Sequence, residues 1–476
     1  CLHYAMVRLF RLWESSRIPE GDPSIQHLLQ IAEEHWRDTN TTPSLASVFA
    51  FRALLARQEG KLPQAITWAR QSLVWLPPEE RFWRNIGLTV VGHGELLEGN
   101  LDQARSLFLE AQALNNQEGN MTYARATRGM LAGVNMEYGE MNHALEQLRQ
   151  FEVEARAQED YDDIAHAQSG LAWIAYQRNK LDEAEHSARE VMDIGEQLKQ
   201  EEFLASASIH LALIEQAQGQ VTQARQRLTS WLARNPTPVS PLIFQLSREV
   251  QMTLASLQLR SGLRTPVEQW FADLAEGASK LPLLQQRREQ LLSARLLLTR
   301  GDLLQATRML EELFSWAMQT KHVALSHEAR VLLVLACARQ SRPEQARVYL
   351  CDLLAASLNE GYVRLFLDAG EEFTLVMRDL LPSLQQKNLA ARARSLLEAA
   401  GLSSHQPARS LLNEPLSSQE RKVLRLLAAG RSNAEIAHEL VVSVNTVRTH
   451  LQSIYRKLNV SNRVEASTMA GQLELL

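Results

Sequence analysis

The amino-acid sequence repeats itself about every 40 residues. Seven segments share a template in which a Gly, Asn or Ser is followed by polar residues and then by an alanine. The marker alanines are Ala65, Ala104, Ala144, Ala184, Ala224, Ala306 and Ala346. Successive gaps are 39, 40, 40, 40, 82 and 40 residues, so the double gap predicts a degenerate copy around residues 262–267. The chain is therefore predicted to stack about eight similar units, each packing on its neighbours.

Each unit is predicted to contain two helices joined by a tight turn. The Gly, Asn or Ser ends the first helix, and the polar residues after it begin the second. A second residue with a small or medium-sized side chain precedes each marker alanine by twelve positions: Ala53, Gly92, Ala132, Ala172, Ala212, Ala294 and Val334. Small residues at both places let paired helices approach closely. Over residues 45–360 the pattern resembles the tetratricopeptide repeat, which implies an all-α, tetratricopeptide-like superhelical solenoid, and we expect it to be elongated and right-handed.

Charge and cysteine content exclude several classes of protein. The 476 residues carry a formal net charge of −5, so a wholly basic nucleic-acid binder is excluded and any such site must be local. The three cysteines are scattered without metal-ligand spacing, which favours a reducing cytosol over a disulfide scaffold or zinc module. The apolar run at residues 331–338 is too short to cross a bilayer, so no membrane association and a cytoplasmic location are predicted. Because the chain begins with Cys1 inside a predicted helix, we expect a fragment of a larger protein.

Motifs that carry catalysis are missing from the sequence. It contains no G-x-x-x-x-G-K-[ST], G-x-S-x-G, H-E-x-x-H or G-x-G-x-x-G pattern, and its histidines do not cluster. The chain is therefore predicted not to be an enzyme and to hold no cofactor or metal of its own.

The most ligand-like group in the repeats is His166, Trp173 and Tyr176. If the tetratricopeptide alignment holds, the first helix of each unit lines a concave surface that can receive a small molecule or a protein. An aromatic pair three residues apart on a helix could stack on a sugar or another ring. The alternative is that these residues only pack between neighbouring repeats.

The repeat pattern ends near residue 360 and a different domain follows. We predict a repeat array over 1–360, a helical extension over 361–400, a Ser/Pro/Gly-rich linker over 401–415 and a second domain over 416–476. Two capping boxes, Ser417 with Glu420 and Ser432 with Glu435, mark helix starts in that domain. Helices are predicted at about 418–429, 433–440 and 444–458, with a fourth from about 463.

The third of these helices has two different faces. Val447, Leu451, Ile454 and Leu458 form an apolar stripe, and Asn445, Arg448, Thr449, Gln452 and Arg456 form a polar row roughly opposite. Residues 443–458 contain no Asp or Glu, and residues 416–476 hold eight basic against five acidic residues. Such a helix on a two-helix support is the geometry that reads the DNA major groove, where Arg can bond guanine and Gln can bond adenine.

The residues of this domain closely resemble the LuxR-type helix-turn-helix domain. The match includes L-S-S-Q-E-R-K-V-L from residue 416, G-R-S-N-A-E-I-A from 430, S-V-N-T-V-R-T-H from 443 and R-V-E-A from 463. The resemblance implies base contacts from Arg448, Thr449 and Gln452 and a fourth helix that supports dimerisation. It implies phosphate contacts from Asn445, Thr446, Arg456 and Lys457.

The order of the two parts resembles the C-terminal portion of the large ATP-binding LuxR regulators, the group that includes the maltose-regulon activator. In that group an NTPase domain precedes the array, so ATP would be a cofactor of that domain and not of this chain. We therefore expect a cytoplasmic bacterial transcription regulator whose array senses a ligand or protein partner and whose last domain binds double-stranded promoter DNA. Its expected partners are RNA polymerase, a small-molecule or protein effector, and a second copy in a homodimer or higher oligomer on DNA.

Two other functions compete with this one. A tetratricopeptide interaction scaffold could use its helix-turn-helix only for dimerisation, although the polar, basic row is unlike an apolar dimer face. A sigma-factor region that docks on RNA polymerase would share the helix-turn-helix outline but explains none of the repeats.

Overall fold

The chain is helical throughout the part that the structure describes. The computed structural model describes residues 23–38, 42–118, 121–236, 241–276, 281–402, 418–428, 430–440, 442–458, 460, 463, 465 and 466, and no strand occurs among them. The chain divides into two compact units, Cys1–Leu396 and Leu397–Leu476. The all-α class predicted from the repeat pattern is confirmed.

Among the described residues of the first unit, eight helical hairpins follow helix α1 (Pro23–Asp38). The first four are α2 (Thr42–Gln58) with α3 (Leu62–Trp75), α4 (Arg81–Leu97) with α5 (Leu101–Glu118), α6 (Met121–Glu137) with α7 (Met141–Ala157), and α8 (Tyr161–Gln177) with α9 (Leu181–Leu198). The others are α10 (Glu201–Ala217) with α11 (Val221–Arg234), α12 (Pro241–Arg260) with α13 (Thr265–Glu276), α14 (Leu283–Arg300) with α15 (Leu303–Gln319), and α16 (Val323–Arg339) with α17 (Pro343–Ser357). The pair α12 and α13 occupies the double gap in which a degenerate copy is predicted.

A left-handed residue ends the first helix of every hairpin. These residues, with φ between +56° and +89°, are Gly60, Gly99, Gly139, Asn179, Gly219, Gly262, Gly301 and Ser341. The next residue then donates its N–H to a carbonyl five positions earlier, as Glu140 does to Asn135 at 2.8 Å. This hydrogen bond satisfies a carbonyl that the ending helix leaves free, and it reverses the chain sharply. The turn residues predicted from the template are therefore the residues that make the turns.

The marker alanines lie at the closest approach of the paired helices. All seven have no exposed surface, and the residues twelve positions earlier are buried as well. At Gly92 a Cβ atom would lie 2.7 Å from Cε1 of Phe108, which is fully buried four residues after Ala104. A bulky aromatic ring therefore fills the space that the small residue leaves, as ridges-into-grooves packing requires.

The array does not extend as an open rod, because distant hairpins meet along a seam. The Lys321 ammonium pairs with the Asp102 carboxylate at 2.7 Å, 219 residues away in sequence. Arg288 pairs with Glu137 across 151 residues. At the turn before α7, a Cβ on Gly139 would lie 2.8 Å from Val323. The expected elongated solenoid is thus corrected: the superhelix curves until its second and third hairpins contact its last two.

Shorter helices follow the array. They are α18 (Arg364–Leu367), α19 (Glu371–Leu380), a 3-10 turn (Leu381–Ser383) and α20 (Lys387–Ala399), within which the first unit ends. The predicted linker lies mostly outside the described residues.

The second unit contains α21 (Ser418–Ala428), α22 (Asn433–Glu439) and α23 (Val444–Leu458). Its core includes Val447, Leu451 and Ile454 of the predicted apolar stripe. The other buried members are Val423, Leu424, Leu427, Ile436, Ala437 and Ala466. Ser432 and Glu435 form the predicted capping box. The pKa of Glu435 is lowered, mainly by the hydrogen bond that the Ser432 backbone N–H donates to its carboxylate and then by the Ser432 side chain. Ser417 of the other predicted box lies outside the described residues.

Candidate nucleic-acid interface

Helix α23 is held at its start by a side-chain cap. The Ser443 hydroxyl accepts a hydrogen bond from the backbone N–H of Thr446 at 3.0 Å, and the two hydroxyls lie 2.8 Å apart. The cap satisfies one of the N–H groups that every helix start leaves free. It fixes where the helix begins and therefore which residues project from its first turns.

One face of α23 is buried against the other two helices. Val447 and Ile454 have no exposed surface and Leu451 is almost fully buried. Residues spaced by four and three positions share one side of an α-helix, so these side chains lock the rotation of α23 about its axis. The opposite face must then point outward.

The outward face carries the polar row predicted from the sequence. Asn445, Thr446, Arg448, Thr449 and Gln452 are all exposed. The Thr449 hydroxyl donates to the Asn445 carbonyl at 3.1 Å, which leaves the methyl group of Thr449 free to contact a partner. None of the described residues gives the side chains of Arg448 or Gln452 a hydrogen bond. One turn of helix, about 6 Å, separates these two donors.

Two apolar side chains that sequence reasoning did not assign to the site lie beside this row. Val442 is 40% exposed and Val444 is 39% exposed, on either side of the capping Ser443. Exposed valines next to hydrogen-bonding side chains are able to contact a thymine methyl group. The sequence offered no sign of their exposure, because an apolar residue at a helix start is as often buried.

Lys457 has a different position from the one predicted. Its ammonium lies 2.8 Å from the Glu420 carboxylate, with only 12% of its side chain exposed and 6% of that of Glu420. A lysine whose charge is paired inside the unit is not free to face a phosphate, which corrects the expectation for this residue. The Arg456 side chain, also predicted to face phosphates, lies outside the described residues.

A buried polar cluster therefore ties α23 to α21. Glu420 accepts a hydrogen bond from the Ser453 hydroxyl at 2.7 Å and another from Lys457. Ser453 and Lys457 are one helical turn apart, so both can reach the same carboxylate. Glu420 was predicted to belong to a capping box, and this cluster was not predicted, although a Ser and a Lys four residues apart on one helix indicated it.

Arg463 provides a second tie around the same core. Its guanidinium donates to the carbonyl of Leu427 at 3.3 Å, to the carbonyl of Arg431 and to the side chain of Asn433 at 3.4 Å. These bonds hold the turn between α21 and α22, where Gly430 adopts a φ of +81°. The support of α23 is thus fixed from two sides, and a rigid support is what a reading helix needs.

The aromatic group predicted in the repeats is only partly brought together. The rings of Trp173 and Tyr176 stack with centroids 6.1 Å apart, and Trp173 lies 6.3 Å from the ring of His210. Tyr176 is only 2% exposed, so it cannot offer a free ring face to a ligand in this structure, and this corrects the prediction for it. His166 packs its ring edge-to-face against Phe203 at 4.9 Å.

Two histidines near this group differ in their electrostatic surroundings. Burial lowers the pKa of His210 to about 4. His166 is only partly removed from water, and the carboxylates of Glu202 and Asp162 outweigh the effect of that desolvation, so the pKa of His166 is raised. The Nδ1 atom of His210 and the Oε1 atom of Gln216 are buried and have no hydrogen-bond partner in the described part of the chain. Buried polar groups of this kind are satisfied by water or by a ligand.

Metal and membrane sites are absent from the described ranges. No group of three His, Cys, Asp or Glu side chains there could hold a metal ion. None of the helices in those ranges combines the length and the apolar character that crossing a bilayer requires.

Comparison with known proteins identifies two regions. The family described as "MalT-like TPR region" matches residues 46–387, and the family described as "Bacterial regulatory proteins, luxR family" matches residues 414–470. Among curated proteins, the chain is similar to the HTH-type transcriptional regulator MalT of Vibrio campbellii, with 27% identity over 487 aligned positions. That alignment covers 94% of this chain and 52% of the relative, so the chain spans about half the length of the curated relative that it matches.

A solved structure also matches over most of the chain. It is described as "Structure of Naa15/Naa10 bound to HypK-THB" and shows 12% identity with a TM-score of 0.20, covering 99% of this chain and 77% of that one. A TM-score this low supports no statement about function.

Proposed function

The chain belongs to the family of the MalT-like tetratricopeptide region and ends in a LuxR-type helix-turn-helix domain, and from this premise we propose how the two parts work. The chain is a transcription regulator. Its α23 enters the major groove of promoter DNA, and its repeat array receives the effector that controls this binding.

The exposed polar row of α23 supports the proposal that this helix binds DNA. Arg448, Thr449 and Gln452 make the base contacts, because they lie on one face and Arg448 and Gln452 have donors that no described residue engages. Arg448 suits a guanine, which accepts two hydrogen bonds from a guanidinium, and Gln452 suits an adenine. Asn445 and Thr446, at the positive end of the helix dipole, hold a phosphate.

The concave side of the array is the proposed effector surface. Trp173 remains partly exposed beside His210, and the unpartnered Nδ1 of His210 and Oε1 of Gln216 offer hydrogen bonds to a small polar ligand. His166, on the same helix as Trp173, is 48% exposed and adds a third polar group. An aromatic ring with a few polar atoms around it is the usual composition of a small-molecule site.

Further partners are proposed from the same family. A homodimer or higher oligomer on DNA and a contact with RNA polymerase belong to this proposal, as does a location in the cytoplasm. We assign no catalytic step to this chain, and ATP binding would belong to a preceding domain of a longer protein.

Replacing Arg448 with alanine tests the reading role of α23. Loss of a bidentate contact to one base pair is expected to weaken binding to the preferred operator about tenfold, near the low end of the ~1–3 kcal/mol that such contacts provide. Binding to random DNA should change less, since Arg448 would contribute only its charge there. The measurement is a DNA-shift assay of the whole chain on promoter fragments and on random duplexes, at several salt concentrations.

Arg425 supplies the matched control, because it is an exposed arginine on the supporting helix α21. The Arg425→Ala variant removes the same charge and should keep the preference for the operator. If Arg448→Ala and Arg425→Ala weaken specific and random DNA by equal factors, α23 does not read bases. A parent chain that binds no DNA but self-associates would instead favour the interaction scaffold.

A further inference from the structure

A ten-residue segment after the last hairpin joins the end of the array to its middle. We call residues 359–368 the strap. The carbonyl of Asn359 accepts a hydrogen bond from the Asn142 amide at 2.9 Å, and the Glu360 carboxylate accepts one from the Asn142 backbone at 2.8 Å. The backbone N–H of Val363 donates to the Gln177 carbonyl at 2.8 Å. The strap thus bonds to the start of α7 in the third hairpin and to the end of α8 in the fourth, about two hundred residues earlier.

A buried carboxylate anchors the far end of the strap. Asp368, whose side chain is 9% exposed, accepts a hydrogen bond from the Tyr176 hydroxyl at 2.6 Å and lies 3.1 Å from the Arg260 guanidinium. It also pairs with Arg364 of the strap itself. Arg364 lies over the Tyr176 ring at 5.5 Å and donates to the Asn179 side chain at 3.3 Å. We call Tyr176, Arg260, Arg364 and Asp368 the Asp368 hub.

Electrostatics keep the hub in one protonation state. Burial alone would raise the pKa of Asp368, but the guanidinium groups of Arg260 and Arg364 outweigh it and lower that pKa. Burial and the Asp368 charge raise the pKa of Tyr176. The hub therefore joins a carboxylate to a neutral phenol across neutral pH, and charge-assisted bonds of this kind are among the stronger ones in proteins.

The two sides of the strap differ in chemistry. Its apolar side packs on the last hairpin and on α19. Tyr362 lies edge-to-face against His327 of α16 at 5.2 Å, and Phe366 lies 6.1 Å from Phe373 of α19. Tyr362 is 5% exposed and Phe366 has no exposed surface. The side that meets the third and fourth hairpins is held mainly by hydrogen bonds and ion pairs. A hydrogen bond depends on the distance and direction between two atoms, so a small movement of one partner breaks it. The stabilisation from apolar burial depends on the buried area and is lost only when that area is exposed.

From this asymmetry we infer that the strap is a releasable latch, permanently attached to the last hairpin. It is reversibly attached to the third hairpin through Asn142 and to the fourth and sixth hairpins through the Asp368 hub. Tyr176 is the connecting residue, because its ring stacks on Trp173 of the effector surface while its hydroxyl bonds the strap. A ligand that shifts Trp173 moves the ring and weakens the hold on Asp368. The chain then continues from the strap toward the helix-turn-helix unit, so release alters how that unit is presented to DNA. This last, regulatory part rests on the proposed function.

Two conservative substitutions test the latch in the whole chain. Tyr176→Phe removes only the hydroxyl and keeps the stacked ring, and Asp368→Asn keeps the shape of the side chain without its charge. Each should speed amide hydrogen exchange in residues 359–368 by about tenfold, because local opening rather than global unfolding becomes easier. Exchange in α16, which carries His327, should stay unchanged. Tyr161→Phe is the matched control, since Tyr161 begins the same helix α8 and is 46% exposed.

Amide exchange in the strap and in α16 decides whether the latch exists. Faster exchange confined to the strap, with the double variant no faster than the stronger single one, supports a shared latch. Unchanged exchange in the strap, or an equal rise in α16, overturns it, because the contacts would then be either negligible or part of one cooperative core.

DNA binding by the same variants tests the regulatory part separately. A change in operator affinity of about threefold or more for Tyr176→Phe relative to Tyr161→Phe supports coupling. Equal affinities with a released strap overturn the coupling but keep the latch. A parent chain that binds no DNA overturns the proposed function and the coupling with it, whereas the exchange data still decide the latch.

Discussion

Replacing Lys457 with alanine is expected to destabilise the second unit by roughly 3 kcal/mol, because it removes the ammonium that lies 2.8 Å from the buried Glu420 carboxylate. Glu420 is 5% exposed, and the Ser453 hydroxyl of α23 donates to it at 2.7 Å. Removing one partner of a buried ion pair costs far more than the loss of an exposed ion pair. Amide exchange in α21 and α23 of the whole chain should accelerate roughly 150-fold, which is 3 kcal/mol converted to a ratio.

Matched variants distinguish this stability effect from a lost DNA contact. Lys422 is exposed on α21, so Lys422→Ala removes one charge of the same kind without opening the core. The double variant Glu420→Gln with Lys457→Met removes both buried charges and should recover much of the loss. Lys457→Ala could instead leave amide exchange unchanged, weaken binding to every DNA sequence and reduce by about one the slope of log affinity against log salt concentration. That result would support the phosphate contact predicted for Lys457 from the sequence.

Acidification is expected to destabilise the first unit through His327. This histidine is 1% exposed in α16, both of its ring nitrogens lack hydrogen-bond partners within the described ranges, and burial followed by the nearby Arg330 charge lowers its pKa to about 4. The unfolded chain, with a histidine pKa of about 6.5, binds the proton more tightly than the folded one. Stability is therefore complete above about pH 6.5 and falls as the pH drops, by about 2 kcal/mol at pH 5 and about 3 kcal/mol at pH 4.

The His327→Phe variant removes this titration while keeping a ring against Tyr362. Urea unfolding followed by tryptophan fluorescence reports the first unit, because all nine tryptophans precede residue 320. The variant should lose about 2 kcal/mol less than the parent between pH 7.5 and pH 5. His186→Phe, at an exposed position on α9, is the matched control, and its free energy of unfolding should depend on pH as that of the parent does. An identical pH dependence for His327→Phe and the parent would show that His327 does not remain neutral in the folded chain.

Local periodicity was enough to predict the repeat units and the two faces of α23. The marker residue Ala104 and its partner Gly92 are buried as predicted because a fixed spacing places both at a helix contact in every copy. Gly139 and Asn179 make turns because few residues adopt a positive φ without strain. The exposure of Arg448 follows in the same way, since burying Val447 and Leu451 leaves the opposite side of α23 in solvent.

Tertiary structure alone decided which distant groups meet. A repeat of 40 residues specifies contacts between neighbours, but the curvature that brings Asp102 to Lys321 accumulates over many small rotations that no single unit encodes. Tyr176 has the spacing of a ligand-stacking residue, yet a carboxylate 192 residues later engages its hydroxyl and buries it. Lys457 has a long, flexible side chain that can reach either a phosphate or Glu420, and only the packing of α23 on α21 selects the carboxylate. The helices, their buried faces and the exposed polar row of α23 could be predicted from the sequence, because they depend on local spacing. The contacts between distant hairpins, the strap and the Glu420 cluster depend on pairings across long sequence separations, which local spacing does not fix.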